Sequence, residues 1–206
     1  MILKTFVKGP IDANNYLLID ENTNNAILID CSDDYADEIK RLGINLKYIL
    51  LTHGHFDHIL GCNSFFETFG CDIYVSQDDI EQIEYAPEMT YMLGGVRIPK
   101  ITSVKKNVKD GDVFELGDVK IKAISTAGHT EGGMCYLTNN NELFSGDTIF
   151  HGSVGRTDFK GGDFEKLSHS VKDVLFRLPE ETIVYPGHGA KTSIKFEKKF
   201  NEIIRG

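Results

Sequence analysis

Apolar residues in this chain gather into short runs bounded by Gly, Pro, Asn and Asp, a pattern that favours strands and turns in the first half. Residues 15–20 and 26–30 flank the polar stretch Glu-Asn-Thr-Asn-Asn and read as a hairpin. Ser32 is placed to cap a helix over residues 33–42, which Gly43 would end. LKYILL, at residues 46–51, is almost continuously apolar, as expected of a strand buried on both faces. A helix over residues 59–69, a strand over 72–76 and a helix over 77–85 are predicted next. The pattern weakens across residues 86–110, where two prolines, two glycines and several lysines point to a long connection.

Strands resume at residues 112–116, 119–125, 133–138 and 142–145, with turns at Gly117-Asp118 and at 139–141. The clearest helical stripe follows: Phe164, Leu167, Val171, Val174, Leu175 and Leu178 share one face. Asp163 is placed to cap that helix and Pro179 to stop it. A strand over 182–185 and a helix over 192–204 complete the series. Each half, about 1–110 and 111–206, thus runs from strands to helices. The expected fold class is α/β, a single domain with two facing mixed sheets and helices outside, a four-layer αββα sandwich.

Composition narrows the functional classes. The 206 residues suit one domain, and 41% hydrophobic against 26% charged residues exclude a disordered chain. With 22 Lys+Arg against 31 Asp+Glu the formal charge is −9, which argues against nucleic acid or anionic membrane as partners. No run approaches the ~18 apolar residues of a membrane span, and MILKTFVKGPID is not a signal peptide. Cys31, Cys62, Cys71 and Cys135 are widely spaced with no CxxC pair, as in reduced thiols. The expectation is a cytoplasmic monomer or homodimer acting on a small molecule.

The chemistry concentrates in HGHFDH, residues 53–58, directly after the buried run. Residues two apart in an extended segment point the same way, so His53 and His55 can grip one metal. A helical turn starting at Asp57 would swing Asp57 and His58 toward a second position, and Gly54 would let the backbone pass close by. His129 in TAGHT, Asp147 in SGDT and His188 in PGHG sit in similar places, each after a strand-like run. Imidazoles and carboxylates without thiolate suit zinc, with iron and manganese as alternatives.

In this order and at these intervals, these elements resemble the metallo-β-lactamase superfamily. GDTIFHGSVGRTDFKGGD (residues 146–163) and VYPGHG (184–189) are similar to its glyoxalase II-like branch, the hydroxyacylglutathione hydrolases. That resemblance implies a first divalent ion held by His53, His55 and His129, and a second held by Asp57, His58 and His188. It also implies that Asp147 bridges the two. Because the sequence stops shortly after His188, the expectation is the hydrolytic core without the helical domain that follows it in that branch. The implied reaction is thioester hydrolysis by a metal-activated hydroxide, with Asp57 and Asp147 orienting it and moving its proton. No GxSxG elbow competes with a water-based mechanism. The same chain also resembles persulfide dioxygenases, which use one iron and share the GRTDF stretch. Lactones and other esters are further substrate classes for the fold.

Several other polar residues have plainer readings. His169 lies opposite the apolar stripe and should face water. His151 reads as incidental. Arg156 suits a substrate carboxylate, or equally a buried salt bridge. The lysines at 100, 105, 106 and 109 read as a solvated loop.

Overall fold

The computed structural model describes residues 1–205. It resolves into two compact units: residues 1–108 with 116–118, and residues 109–115 with 119 onward. Each is built on a six-stranded mixed sheet. The α/β class and the two mixed sheets agree with the expectation from hydrophobic pattern.

The first sheet runs β1 (Ile2–Lys8), β2 (Ala13–Ile19), β3 (Asn25–Ile29), β4 (Asn45–Leu50), β5 (Asp72–Ser76) and β6 (Lys106–Val108), in chain order. The first three are antiparallel; β3, β4, β5 and β6 pair in parallel. β2 is buried at every position and β3 at all but its first, so residues 16–19 and 26–29 read as continuous apolar runs, while Asn14 and Asn15 of β2 are buried polar residues. β1 has no such signature because it lies at the sheet edge, with only Leu3, Phe6 and Lys8 partly covered and no residue buried. That is why the hydrophobic pattern passed over it.

Four helices belong to this unit: α1 (Ala36–Lys40), α2 (Phe56–Ile59), α3 (Cys62–Phe69) and α4 (Ile80–Gly94). Their core gathers around Ile39, Leu51, Ile59 and Phe65, with Tyr35 edge-on to Phe65 at 4.9 Å between centroids. Three expectations need correction here. Helix α1 starts at Ala36 instead of 33, because Ser32 is committed elsewhere: its hydroxyl accepts from Asn15 Nδ2 at 2.6 Å, and its N–H donates to Asn15 Oδ1 at 2.7 Å. The helix expected over 59–69 is two helices, the first starting at Phe56. The long connection expected over 86–110 is helical as far as Gly94, with Pro87 inside α4. An interior proline costs about 3 kcal/mol of helix stability. Burial of Ile83, Ala86, Pro87 and Met89 on one face of α4 offsets that cost.

The second sheet has the order β14-β13-β10-β9-β8-β7, from β7 (Val113–Leu116), β8 (Val119–Ser125), β9 (Met134–Thr138), β10 (Glu142–Gly146), β13 (Ile183–Pro186) and β14 (Thr192–Ser193). β10 and β13 are parallel neighbours, so their C-terminal ends emerge together. A small hairpin, β11 (Ile149–Phe150) with β12 (Ser153–Val154), follows β10.

Asp163 caps α5 (Phe164–His169), its Oδ1 accepting from the N–H groups of Glu165 and Lys166. The single helix expected over 164–178 is not regular, however. It widens into a π turn at Ser170–Val174 and tightens into a 3₁₀ turn at Leu175–Arg177. The wide turn lets Ser170 Oγ donate to the Ala127 carbonyl at 2.7 Å while Leu167, Val171 and Leu175 stay fully buried. The last expected helix also divides, into α6 (Ile194–Phe200) and α7 (Glu202–Arg205). The break is at Asn201, whose Nδ2 donates to buried Glu197 at 2.8 Å and to the Ser153 carbonyl at 3.0 Å.

Candidate metal centre

In the first unit, the parallel pairing of β3 and β4 brings Asp30, just past one strand, beside Thr52, just past the other. Asp30 has a left-handed backbone, φ 60°, that turns its carboxylate under the next segment. There Oδ1 accepts from the Thr52 N–H at 2.8 Å, and Oδ2 accepts from Thr52 Oγ1 and from His58 Nδ1, each at 2.8 Å. The Thr52 hydroxyl gives its one proton to Asp30, so at 3.0 Å from His53 Nδ1 it acts as acceptor. Both imidazoles are thereby held as Nδ1–H tautomers, which makes Nε2 the basic nitrogen of each.

The four polar side chains of HGHFDH are almost completely covered: His53 is 2% exposed, His55 4%, Asp57 5% and His58 0%. The His53 ring lies 4.8 Å from that of His55 and 4.2 Å from that of His58, and Asp57 Oδ2 is 3.3 Å from His58 Nε2. Ligating atoms pair within 4.8 Å for His53 with His55, His53 with His58, and Asp57 with His58. Gly54 is required by a close approach to Asp79. A Cβ there would stand 2.7 Å from the Asp79 carbonyl oxygen, while its N–H donates to Asp79 Oδ2 at 2.8 Å. Asp79 thus anchors the middle of the motif.

In the second unit, three strand ends supply the donors. His129 follows β8, Asp147 follows β10 and His188 follows β13. Because β10 and β13 are parallel and adjacent, Asp147 and His188 meet: Nε2 of His188 is 3.7 Å from Asp147 Oδ2. Nε2 of His129 is 3.6 Å from the same oxygen. His129 donates Nδ1–H to the Arg156 carbonyl at 2.7 Å, so it too keeps Nε2 as the basic nitrogen. Gly155 packs under this group, where a Cβ would come within 1.9 Å of the Asp147 carbonyl oxygen and 2.9 Å of His129 Nδ1.

The first unit therefore presents a buried set of imidazole nitrogens and a carboxylate, and the second a partly buried one, with the outer ring nitrogens of His53, His58 and His129 fixed by hydrogen bonds. Burying such groups is costly unless they are paired or bind a cation. Oriented Nε2 atoms beside carboxylates, without thiolate, suit zinc, iron or manganese. The donor sets fit a divalent ion.

Other singled-out residues lie elsewhere in their units. The Arg156 guanidinium is not in a buried salt bridge. It forms a two-pronged pair with Asp158 on the surface, 2.7 Å on each side, and stacks 3.7 Å over Phe159. That pair holds the Asp158 carboxyl at about 2. What Arg156 brings to the donor set is its backbone carbonyl. His151 stacks on Phe196 at 4.6 Å, and His169 is exposed beside Asp173 at 2.9 Å. Among the lysines expected in a solvated loop, Lys106 pairs with Asp72 at 3.6 Å and Lys105 lies over Phe66. All four cysteines are free thiols and buried. Asp30, Asp79 and Gly155 were not anticipated from sequence, since a lone Asp or Gly in a turn has no local signature; only the strand pairing gives them roles. Among the described residues no helix is long and apolar enough to cross a membrane.

Comparison with known proteins agrees with this geometry. Residues 9–188 match the model of the metallo-beta-lactamase superfamily. The hydroxyacylglutathione hydrolase GloC of Haemophilus influenzae is 32% identical, over 92% of each chain. The solved structure of the BLEG-1 B3 metallo-beta-lactamase superposes with a TM-score of 0.91 at 32% identity, over the whole of both chains. That of TTHA1623 in a di-iron-bound form gives 0.87 at 30% identity, over 97% of this chain and 98% of the other. The chain belongs to the metallo-β-lactamase superfamily and is a metallo-hydrolase of that fold.

Proposed function

We propose that the chain is a thioester hydrolase, acting on a substrate such as a hydroxyacylglutathione. In this reading His53, His55 and His129 hold one divalent ion, zinc in the first instance, and Asp57, His58 and His188 hold a second. Asp147 serves both. The observation that supports it best is that Asp147 Oδ2 lies 3.6 Å from His129 Nε2 and 3.7 Å from His188 Nε2, so one carboxylate oxygen is near two basic nitrogens. The likeness to GloC of Haemophilus influenzae supports the substrate class.

Ions so held would lower the pKa of water toward about 7 and polarise the scissile carbonyl. The remaining work falls to the chain. Asp30 keeps His58 in the tautomer that offers Nε2, and through Thr52 does the same for His53. The Arg156 carbonyl performs that task for His129. In this reading Asp57 and Asp147 take the proton from water and return it to the leaving thiolate. Burial of the HGHFDH side chains keeps bulk water away from the charge that develops.

The test is a substrate panel on metal-reconstituted protein with its metal content measured. The panel comprises S-lactoylglutathione, further acyl thioesters, a lactone, a cephalosporin and glutathione persulfide. Two divalent ions per chain with thioester cleavage, lost in the His53→Ala, Asp147→Ala double variant, is the expected result. One iron per chain with oxygen uptake on glutathione persulfide would replace this reading by a persulfide dioxygenase. Cleavage of the lactone alone would replace it by a lactonase.

A further inference from the structure

We propose that the first unit carries a binding pocket for an apolar acyl chain, which makes thioesters of such acids the preferred substrates; this rests on the hydrolase reading above. The pocket encloses about 350 Å³ and is walled by Pro10, Phe56, Leu60, Leu93, Val96 and Ile98. That volume lies in the range of small-molecule sites.

Its chemistry is set by the one polar side chain in the wall. Thr90 Oγ1 donates to the Pro87 carbonyl at 3.0 Å and accepts from the Ile98 N–H at 3.3 Å, so its hydroxyl is spent on the protein's own backbone. The Thr90 proton is committed and the other lining side chains are hydrocarbon, so the fitting occupant is hydrocarbon. The same bonds tie the segment after α4 back onto that helix. Gly95, with φ 69°, turns the chain there. Arg97 fastens the return by pairing with Glu88 at 2.6 Å and lying 5.1 Å over the Tyr91 ring. Leu93 and Val96 are consequently held on the rim at 60% and 69% exposure, an apolar lip facing solvent.

The wall also points to what the occupant is part of. Phe56 stands in the chain between His55 and Asp57, so the segment that supplies the metal-binding donors supplies one side of the pocket. A molecule with its carbonyl at those donors and its hydrocarbon tail in the pocket engages both parts of one segment.

The experiment uses N-acetylcysteamine thioesters of straight-chain acids from acetyl to octanoyl with the metal-loaded protein. Expected is a rise in kcat/KM of up to about fourfold per added methylene until the pocket fills. In the Leu93→Asp, Val96→Asp double variant, altered only at exposed positions, that dependence should flatten. Calorimetric titration with 1-octanol gives a readout independent of turnover: saturable binding to the native protein, lost in the double variant. A flat chain-length profile with acetyl thioester still cleaved overturns the pocket and leaves the hydrolase standing. Failure to cleave any thioester overturns the hydrolase reading instead, and octanol binding then decides the pocket alone. A wild-type dimer broken into monomers by the double variant, with no octanol bound, would assign the lip to a second copy of this chain and overturn the proposal.

Discussion

Replacing Asp30 by Asn tests the orientation of the donor set without changing its size. Asp30 is 1% exposed and accepts three hydrogen bonds, from the Thr52 N–H, the Thr52 hydroxyl and His58 Nδ1. An asparagine offers one acceptor oxygen and one NH₂. With its oxygen toward the Thr52 N–H, the NH₂ faces the Thr52 hydroxyl and His58 Nδ1; with the amide reversed, it faces the Thr52 N–H. Either way one buried donor meets another, at a cost of about 1–3 kcal/mol. In the first orientation His58 escapes by moving its proton to Nε2, which removes the lone pair a metal needs. Loss of such an outer contact weakens metal binding about 10- to 100-fold. For a chain of this size the metal-free protein should also melt about 4–8 °C lower if the cost is near 2 kcal/mol. Zinc affinity by chelator competition and Tm of the metal-free protein by calorimetry are the two readouts. Wild-type zinc affinity in the Asp30→Asn protein would refute the tautomer argument, whatever its Tm.

Three further outcomes follow from individual contacts. Gly155→Ala places a Cβ 1.9 Å from the Asp147 carbonyl oxygen, so the segment must shift; thermal unfolding should register about 1–3 kcal/mol lost, with zinc binding weakened in parallel. Arg156→Ala should return the Asp158 carboxyl from about 2 toward its ordinary 3.8 in an NMR titration. The native pKa is the depressed one, so the pair's contribution is present above pH 3.8 and fades as pH falls through about 2; it should be small, since both groups are exposed. Burial pushes the Cys71 thiol up to about 12 and that of Cys135 to about 11. At pH 8 the native protein should therefore leave both unreacted toward a thiol reagent while denatured protein reacts at all four cysteines. Stability from these two protonated thiols holds below pH 9 and is lost as pH rises through 11–12.

How legible each part was in the sequence depended on whether its cause was local. LKYILL was legible as β4 because Leu46, Ile49 and Leu50 are buried and only Lys47 interrupts the apolar run, and Asp163 became a cap because capping acts over three residues. The candidate donors His53, His55, Asp57, His58, His129, Asp147 and His188 stand out in the sequence because strand ends and glycine turns surround them. Pro87 misled because the burial that offsets it comes from residues packed against α4 from afar. Asn201 and Ser170 interrupt the expected helices where they bond to the distant carbonyls of Ser153 and Ala127, which no periodicity records. Asp30 was invisible for the same reason: its partners lie 22 and 28 residues further along the chain.

The left-handed backbone at Asp30 has a consequence for which residues this position can accept. At φ 60°, glycine, asparagine and aspartate are tolerated, while longer and branched side chains are strained. The three hydrogen bonds it receives require two acceptor oxygens within one methylene of the backbone. Glycine has none and asparagine only one. Backbone conformation and proton placement therefore impose separate filters, and only aspartate passes both. A drifting sequence could exchange one metal-binding residue for another and still bind some ion, but it has no synonym for this residue.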